Sequence, residues 1–136
     1  MKGIIETLTE LGSLKTFMML LKVANLTGAL DTEGPYTVLA PLDEAFEELP
    51  NGMMDRLLIG GEELTNFLNH HLILGELTTD DLRENPLLET VAGEKLLLDI
   101  LNGTLMVNDS AIVRSDVGFI DGQVQVIDSV LLPQGG

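Results

Sequence analysis

The sequence predicts an α+β fold, and two observations support this class. Amphipathic helical patterns fill most of the first half of the chain, whereas short apolar runs separated by turn residues fill the second half. Because strands and helices do not alternate steadily, a doubly wound parallel sheet is not expected. The chain has 136 residues and shows no linker, internal repeat or low-complexity segment, so residues 1–136 are predicted to form a single domain.

The first clear helix begins after Ser13, which we expect to be its N-cap. Apolar residues then recur at i, i+3, i+4 and i+7 and share one helical face: Leu14, Phe17, Met18 and Leu21. Gly34-Pro35 breaks this pattern. The residues from Tyr36 to Ala40 predict a short buried strand, and Pro41 is expected to stop it.

Three further helices are expected before the second half. The first is short and is predicted by Ala45, Phe46 and Leu49. The second is predicted by Met53, Met54, Leu57 and Leu58, and it ends at Gly60-Gly61. The third is predicted to end before Gly75, because its apolar series continues as Leu64, Phe67, Leu68, His71 and Leu72.

Turn dipeptides divide the second half into strands. Asn102-Gly103 marks a tight turn, Asn108-Asp109 a hairpin, and Asp121-Gly122 the turn before the closing strand "QVQVIDSVLLP". Strict alternation in that strand places Asp128 on the same apolar face as the two preceding valines. Either a bulge near Ile127 shifts the alternation, or Asp128 is a partly buried acid held by hydrogen bonds.

Composition limits the classes of partner. The 22 acidic and 7 basic residues give a formal net charge of −15, which repels nucleic acid and anionic lipid and favours cationic partners. The absence of cysteine excludes disulfides, thiol nucleophiles and thiolate metal sites. No apolar stretch is long enough to insert into a membrane. The N-terminus also lacks the pattern of a signal peptide, so either the protein stays inside the cell or a signal has been removed.

Four segments together resemble the fasciclin-like domain family. They are "IIETLTELGSLKTFMMLLKVANLTGAL", "GPYTVLAPLDEAFEELP", "FLNHHLILGELTTDDL" and "GQVQVIDSVLLP", and they cover the chain from about Gly3 to Pro133. The resemblance implies a wedge of two β-sheets flanked by helices from the N-terminal half. It also implies that six residues are structural motif positions: Thr37, Pro41, Asp43, Phe46, Asp128 and Pro133.

The family is associated with extracellular, periplasmic or cell-surface adhesion and has no general catalytic activity. The resemblance therefore implies a secreted or surface-bound, non-enzymatic module that contacts proteins or polysaccharides, without a cofactor, as a monomer or weak oligomer. Because a few members bind carotenoids, the alternative is a carrier of an apolar small molecule such as a carotenoid. The methionines, mostly core residues, could then line a groove between helix and wedge.

The resemblance places the binding residues at His70 and His71, where the family often has Tyr-His. Animal members use this region to engage integrin-type receptors, but His70 replaces the tyrosine, so that activity is not carried over. The sequence also departs from the family at Leu42 and Gln125, where a small polar residue and histidine are usual.

The helical pattern separates the two histidines. Adjacent helical residues point about 100° apart, so both cannot face one ligand. His71 lies on the apolar face and is expected to be a neutral core residue, bonded to backbone and titrating at low pH, whereas His70 falls on the polar side with Asn66 and Glu63. No HExxH metal motif, serine nucleophile elbow or phosphate loop is present, so an enzyme is not expected.

Two groups of polar residues have both a structural and a functional interpretation. Asn25, Asn102 and Asn108 begin N-x-S/T triplets, which are glycan acceptors in a secreted eukaryotic protein and otherwise ordinary turn residues. The acidic run Asp43, Glu44, Glu47 and Glu48 is interpreted as a helix start rather than a metal site. In that interpretation Asp43 is expected to cap its own helix, because Leu42 cannot.

Overall fold

The computed structural model describes residues 2–132, so Pro133 lies outside the described residues. The N-terminal half is largely helical and the C-terminal half is largely strand. The helices are α1 (Ile4–Leu11), α2 (Lys15–Val23), α3 (Thr27–Thr32), a 3-10 helix (Asp43–Glu48), α4 (Met53–Ile59), α5 (Glu62–Asn69) and α6 (Thr79–Glu84). The strands are β1 (Tyr36–Pro41), β2 (Leu72–Leu74), β3 (Leu87–Glu89), β4 (Lys95–Leu101), β5 (Thr104–Val107), β6 (Ser110–Phe119) and β7 (Gly122–Ile127).

The two expected sheets are halves of one seven-stranded sheet with the order β2-β1-β7-β6-β5-β4-β3. Among the strands of residues 2–132, only β1 and β7 pair in parallel, and the other neighbours are antiparallel. Strand β6 joins the halves, since its first two residues pair with β5 and its later residues pair with β7. Extra residues in β6 on either side of Arg114 shift the register twice. Such bulges bend a strand and increase its twist.

Two apolar clusters hold these layers together. One lies between the helices and a face of the sheet to which Val38, Ala40, Val124 and Val126 belong. The other lies inside the wedge, where residues of β1 and β7 meet residues of β4 and β5: Leu39, Ile127, Leu96, Leu98, Leu105 and Val107. Apolar contact therefore closes the wedge between the halves, and the predicted α+β class is confirmed.

The start of α2 corrects the expected capping. Leu14, not Ser13, occupies the N-cap position, and Ser13 has a φ of 60° and makes no cap bond. The carboxylate of Asp43 caps this helix from a distance, because its Oδ1 accepts the Thr16 N–H at 2.7 Å. The 3-10 helix that follows Leu42 has no side-chain cap. Asp43 therefore serves a different helix from the one that its sequence position suggested.

The end of α5 also differs from the prediction. The helix stops at Asn69, His70 is its C-cap residue, and Leu72 begins strand β2. In this strand Leu72 pairs with Val38, and the carbonyl oxygen of His71 accepts the Leu39 N–H at 2.8 Å. Periodicity could not show this change, because Leu72 is buried in β2 as it would be in a helix.

Asp128 is held by a hydrogen bond, as one of the two alternatives expected, but it is exposed rather than partly buried. Strand β7 ends at Ile127, and Asp128 is exposed beyond it. Its Oδ1 accepts the Ala111 N–H at 2.9 Å, so it links the end of β7 to the start of β6. Alternation could not predict the position of Asp128, because β7 is central and covered on both faces. Four consecutive residues of this strand are all buried: Val124, Gln125, Val126 and Ile127. The bulges belong to β6.

Two of the three predicted turns are confirmed, and the third lies one residue earlier than predicted: Ile120 and Asp121 form it, and Gly122 begins β7. Strands β4 and β5 are joined by Asn102-Gly103, with φ values of 51° and 83°, as a tight hairpin of this twist requires. Asn108, with a φ of 54°, begins the next hairpin turn. Within residues 2–132, every helix is too short or too polar to cross a membrane.

Candidate functional site

His71 is fully buried at the junction of three elements. Its Nδ1 lies 2.8 Å from the Phe67 carbonyl oxygen in α5, and its Nε2 accepts the Leu131 N–H at 2.9 Å from the segment after β7. The ring centroids of Phe67 and Phe17 lie 4.8 and 6.0 Å away. His71 therefore connects α5, α2 and the C-terminal segment through hydrogen bonds and aromatic packing.

These contacts specify the protonation state of His71. Nδ1 faces an acceptor and Nε2 faces a donor, which requires the neutral tautomer with the proton on Nδ1. Burial is the main reason why the pKa of His71 is lowered to about 4. The hydrogen bond to the Phe67 carbonyl raises this pKa, and the nearby His70 lowers it slightly further. Both nitrogens are occupied, so His71 can bind an external ligand only by giving up one of these bonds.

His70 is buried rather than exposed on the polar side of the helix, which corrects the expectation. It is 8% exposed, and its Nδ1 lies 2.6 Å from the Asn66 carbonyl oxygen. The turn between β3 and β4 packs nearby, since Val91 and Ala92 donate backbone N–H bonds to Leu72 and Asn69. The predicted position of His70 on the polar side was wrong because helical periodicity takes no account of a distant hairpin that packs on the end of the helix.

One nitrogen of His70 has no hydrogen bond within residues 2–132. This is Nε2, and the Glu94 carboxylate lies 3.9 Å away, beyond hydrogen-bond distance. No group of three or more metal-ligating side chains is found in the described part of the chain. The two adjacent histidines are thus separated: His71 is committed to backbone partners, and His70 faces the turn that carries Glu94.

The structure assigns local roles to three other motif residues. The buried Thr37 hydroxyl donates to the Gly75 carbonyl at 2.7 Å and accepts the Leu77 N–H at 2.8 Å, which ties β1 to the loop after β2. Pro41 is the last residue of β1. The ring of Phe46 is nearly buried, 6.0 Å from that of Phe67. The hydrogen bonds of Thr37 and the packing of Phe46 on Phe67 stabilise the framework around the histidines.

A polar network around Gln125 was not predicted from the sequence. This buried side chain accepts the Asp116 N–H and donates to the Leu77 carbonyl and the Asp116 carboxylate. Asp116 also accepts two bonds from Thr79 at the start of α6. Partial burial opposes ionisation, but the bonds from Gln125 and Thr79 and the charge of Arg83 lower the pKa of Asp116 overall. The sequence signal that could have indicated this network is Gln125 itself, which stands where the family usually has histidine.

An exposed apolar surface lies at the C-terminal ends of α2 and α4. We name it the α2–α4 patch, and it consists of Met19, Val23, Leu58 and Ile59, which are 42%, 44%, 42% and 84% exposed. The two helix ends adjoin, since a methyl group placed on Gly60 would lie 3.6 Å from a Val23 methyl. Helical periodicity could not indicate this patch, because it identifies the buried face of a helix and does not show where the exposed edges of two helices meet.

The three asparagines of the N-x-S/T triplets share one conformation. Asn25, Asn102 and Asn108 have φ values of 58°, 51° and 54°, the left-handed region that asparagine tolerates better than most residues. Backbone geometry therefore accounts for each asparagine at its position.

Comparisons with known proteins agree with this fold. The Fasciclin domain family model matches residues 12–133. Protein sll1483 from a Synechocystis strain is 33% identical over 96% of this chain and 73% of its own length. Human periostin is 28% identical over 97% of this chain but only 16% of its own length, and the cell surface glycolipoprotein MPB83 of Mycobacterium bovis is 33% identical over 74% of this chain and 44% of its own.

A solved structure shows the same architecture. The FAS1 domain pair of the insect cell adhesion molecule fasciclin I superposes with a TM-score of 0.82, over 98% of this chain and 51% of that chain, at 18% sequence identity. At that identity the similarity concerns the fold, whereas the family match rests on the sequence. This chain belongs to the fasciclin domain family.

Proposed function

We propose that this protein is a non-enzymatic binding module that acts outside the cell or at its surface, and that the α2–α4 patch contacts a protein partner. Two names support this setting: the relative MPB83 is named as a cell surface glycolipoprotein, and fasciclin I, which shares the fold, is named as a cell adhesion molecule. The observation that carries the proposal is the patch itself.

The patch has the physical properties of a contact surface. Four aliphatic or thioether side chains are exposed on two helices that approach each other at Gly60 and Val23, and Ile59 is the most exposed of the four at 84%. Removing apolar surface from water is favourable by about 25 cal/mol per Å², which favours contact with a complementary apolar surface. Aliphatic side chains offer no hydrogen bonds to a hydroxyl-rich polymer, which favours protein over polysaccharide as the partner.

Charge defines the partner further. The protein carries a formal net charge of −15, so the approach of an acidic partner would be opposed at long range. The partner is expected to surround its apolar contact with lysine or arginine. Adhesion should therefore weaken as salt rises, because ions screen such attraction within about 10 Å at 0.1 M.

The test measures retention of cells from the source organism on beads that carry the protein. Ile59→Asn removes the most exposed patch residue, and Ile120→Asn is the matched control, because Ile120 is 55% exposed and lies outside the patch. We expect wild type and the control to retain cells and Ile59→Asn to lose most of this retention. Equal retention by both variants would exclude the patch, and wild-type retention no better than that of blank beads would refute the binding module.

Proteolysis of intact cells tests the proposed location. A protein at the cell surface or outside the cell should be degraded by added protease while a cytoplasmic marker survives. Protection of both proteins would contradict an exported location.

A further inference from the structure

A groove runs between α1 and the bulged strand β6, on a part of the molecule separate from the histidines and the α2–α4 patch. Its larger part has a volume of about 380 Å³ and is lined by Lys2, Thr7, Glu10, Leu11, Arg114 and Val117, among others. A second hollow of about 200 Å³ shares Leu11 and Arg114 and extends to Leu42, Val113 and Val126. Apolar side chains therefore continue through both parts, and Arg114 belongs to both.

The bulges of β6 surround Arg114. The register with β7 shifts between Ile112 and Arg114 and again between Arg114 and Val117. A bulge turns a side chain away from the direction that regular alternation would give it. Two bulges around one arginine thus set the direction of its side chain independently of both flanking segments.

The charge of this groove is opposite to that of the molecule. Lys2 is paired with Glu10 in the same groove, so these two charges compensate each other. Arg114 has no carboxylate within 4.0 Å in the described residues 2–132. The charged side chains that line the groove therefore sum to one positive charge, in a chain whose net charge is −15.

We propose that the groove binds a monocarboxylate with an unbranched apolar chain, as in a fatty acid. The guanidinium of Arg114 matches a carboxylate with two parallel hydrogen bonds, and one positive charge suits a monoanion better than a phosphate dianion. The apolar chain lies against Leu11 and Val117 and continues towards Leu42 and Val126. Concave, mainly apolar sites of 300–1,000 Å³ with a few polar groups are typical of small-molecule binding.

This ligand differs from the carotenoid that the resemblance suggested for a carrier protein. The methionines that could have lined a polyene groove lie elsewhere: Met18, Met53 and Met54 pack on the helical core, and Met19 belongs to the α2–α4 patch. The groove is also independent of the proposed adhesive surface, so it stands or fails separately from that function.

The first experiment compares three ligands with the same ten-carbon chain and different head groups. Decanoate, decanol and decyltrimethylammonium are titrated into the ¹⁵N-labelled protein, and amide shifts are followed by NMR. Decanoate is expected to shift the amides of Leu11, Arg114 and Val117 and to bind about tenfold or more tightly than decanol. Equal affinity for decanoate and decanol, or shifts confined to other residues, would overturn the proposal.

The second experiment removes the guanidinium and keeps most of its apolar stem. Arg114→Met is expected to raise the Kd for decanoate about tenfold or more, and Arg114→Lys to give an intermediate value, because it keeps the charge and loses the fork. Lys22→Met is the matched control, since it changes the net charge equally from a position in α2. An unchanged Kd in Arg114→Met, or an equal loss in Lys22→Met, would refute a role for Arg114. The head-group series on wild type needs no variant and so does not depend on the folding of Arg114→Met.

Discussion

Replacing His71 with glutamine should remove most of the acid sensitivity that this residue gives the fold. Glutamine does not titrate, and its amide oxygen can still accept the Leu131 N–H that His71 Nε2 accepts. The variant loses the ring packing against Phe67 and the bond to the Phe67 carbonyl oxygen, so it should be less stable than wild type at pH 7 by about 1–3 kcal/mol. The informative quantity is how this deficit changes with pH.

The sign follows from the direction of the pKa shift. Burial lowers the pKa of His71 from 6.5 to about 4, so between these values the unfolded chain binds the proton and the folded chain does not. The stability that neutral His71 supplies is complete above pH 6.5 and is lost as the pH falls towards 4. At about 1.36 kcal/mol per pKa unit, the whole shift corresponds to about 3 kcal/mol. About 2 kcal/mol of it should be lost by pH 5.

Urea unfolding of wild type and His71→Gln at pH 7, 6 and 5 measures this difference. This range stays above the sequence pI of about 4.1, where solubility is lowest. The many carboxylates also titrate in acid, but they do so in both proteins, so the difference between the two curves isolates His71. Leu8→Ala is the control, because it creates a cavity in α1 and leaves the hydrogen-bond partners of His71 in place.

We expect the deficit of His71→Gln to shrink by about 2 kcal/mol between pH 7 and pH 5, whereas the deficit of Leu8→Ala stays constant. A constant deficit for His71→Gln would refute the reasoning. So would an NMR titration that gives wild-type His71 a pKa of 6.5 or higher, because a buried neutral ring could not then be the cause of acid sensitivity.

Two further predictions concern local backbone bonds. Asp43→Ala should lower the free energy of unfolding in urea by about 0.5–2 kcal/mol, because the Thr16 N–H at the start of α2 loses its acceptor. Glu44 is exposed and caps no helix, so Glu44→Ala should change stability by less than about 0.5 kcal/mol. Equal effects of the two substitutions would argue against the cap. Asn102→Ala should lower the free energy of unfolding by about 1 kcal/mol, since alanine tolerates a φ of 51° poorly. Asn51→Ala serves as the control substitution in another loop. An unchanged free energy of unfolding in Asn102→Ala would show that the turn relaxes at no cost.

The α+β class, the hairpins and the neutral core histidine could be predicted because each rests on local chemistry. Helical periodicity identified the buried face that contains Phe17 and Leu21, and Asn102-Gly103 specified a turn by its own φ preferences. The burial of His71 was predicted from its place in the apolar series that begins with Leu64, although α5 ends two residues before it. None of these predictions required knowledge of a distant contact.

The errors occurred where distant segments meet. Asp43 caps α2 from 27 residues away. The β3–β4 turn, which packs on His70, is separated from it along the chain by the next three elements, β2, α6 and β3. Asp128 lies beyond the end of β7 and is exposed. Its burial was wrongly inferred from alternation, because β7 is central and buried on both faces and so has no polar face.

The sequence by itself determined the fold class and the acidic character of this protein, because composition, periodicity and turn preferences are properties of neighbouring residues, and its motif segments resembled the family to which it belongs. Only the tertiary structure decided what the chemically active side chains contact. It placed both nitrogens of His71 on backbone partners, brought the ends of α2 and α4 into one apolar patch, and set Arg114 between two bulges in a groove beside α1. These arrangements depend on which segments the core brings together, and that pairing is established across the whole chain.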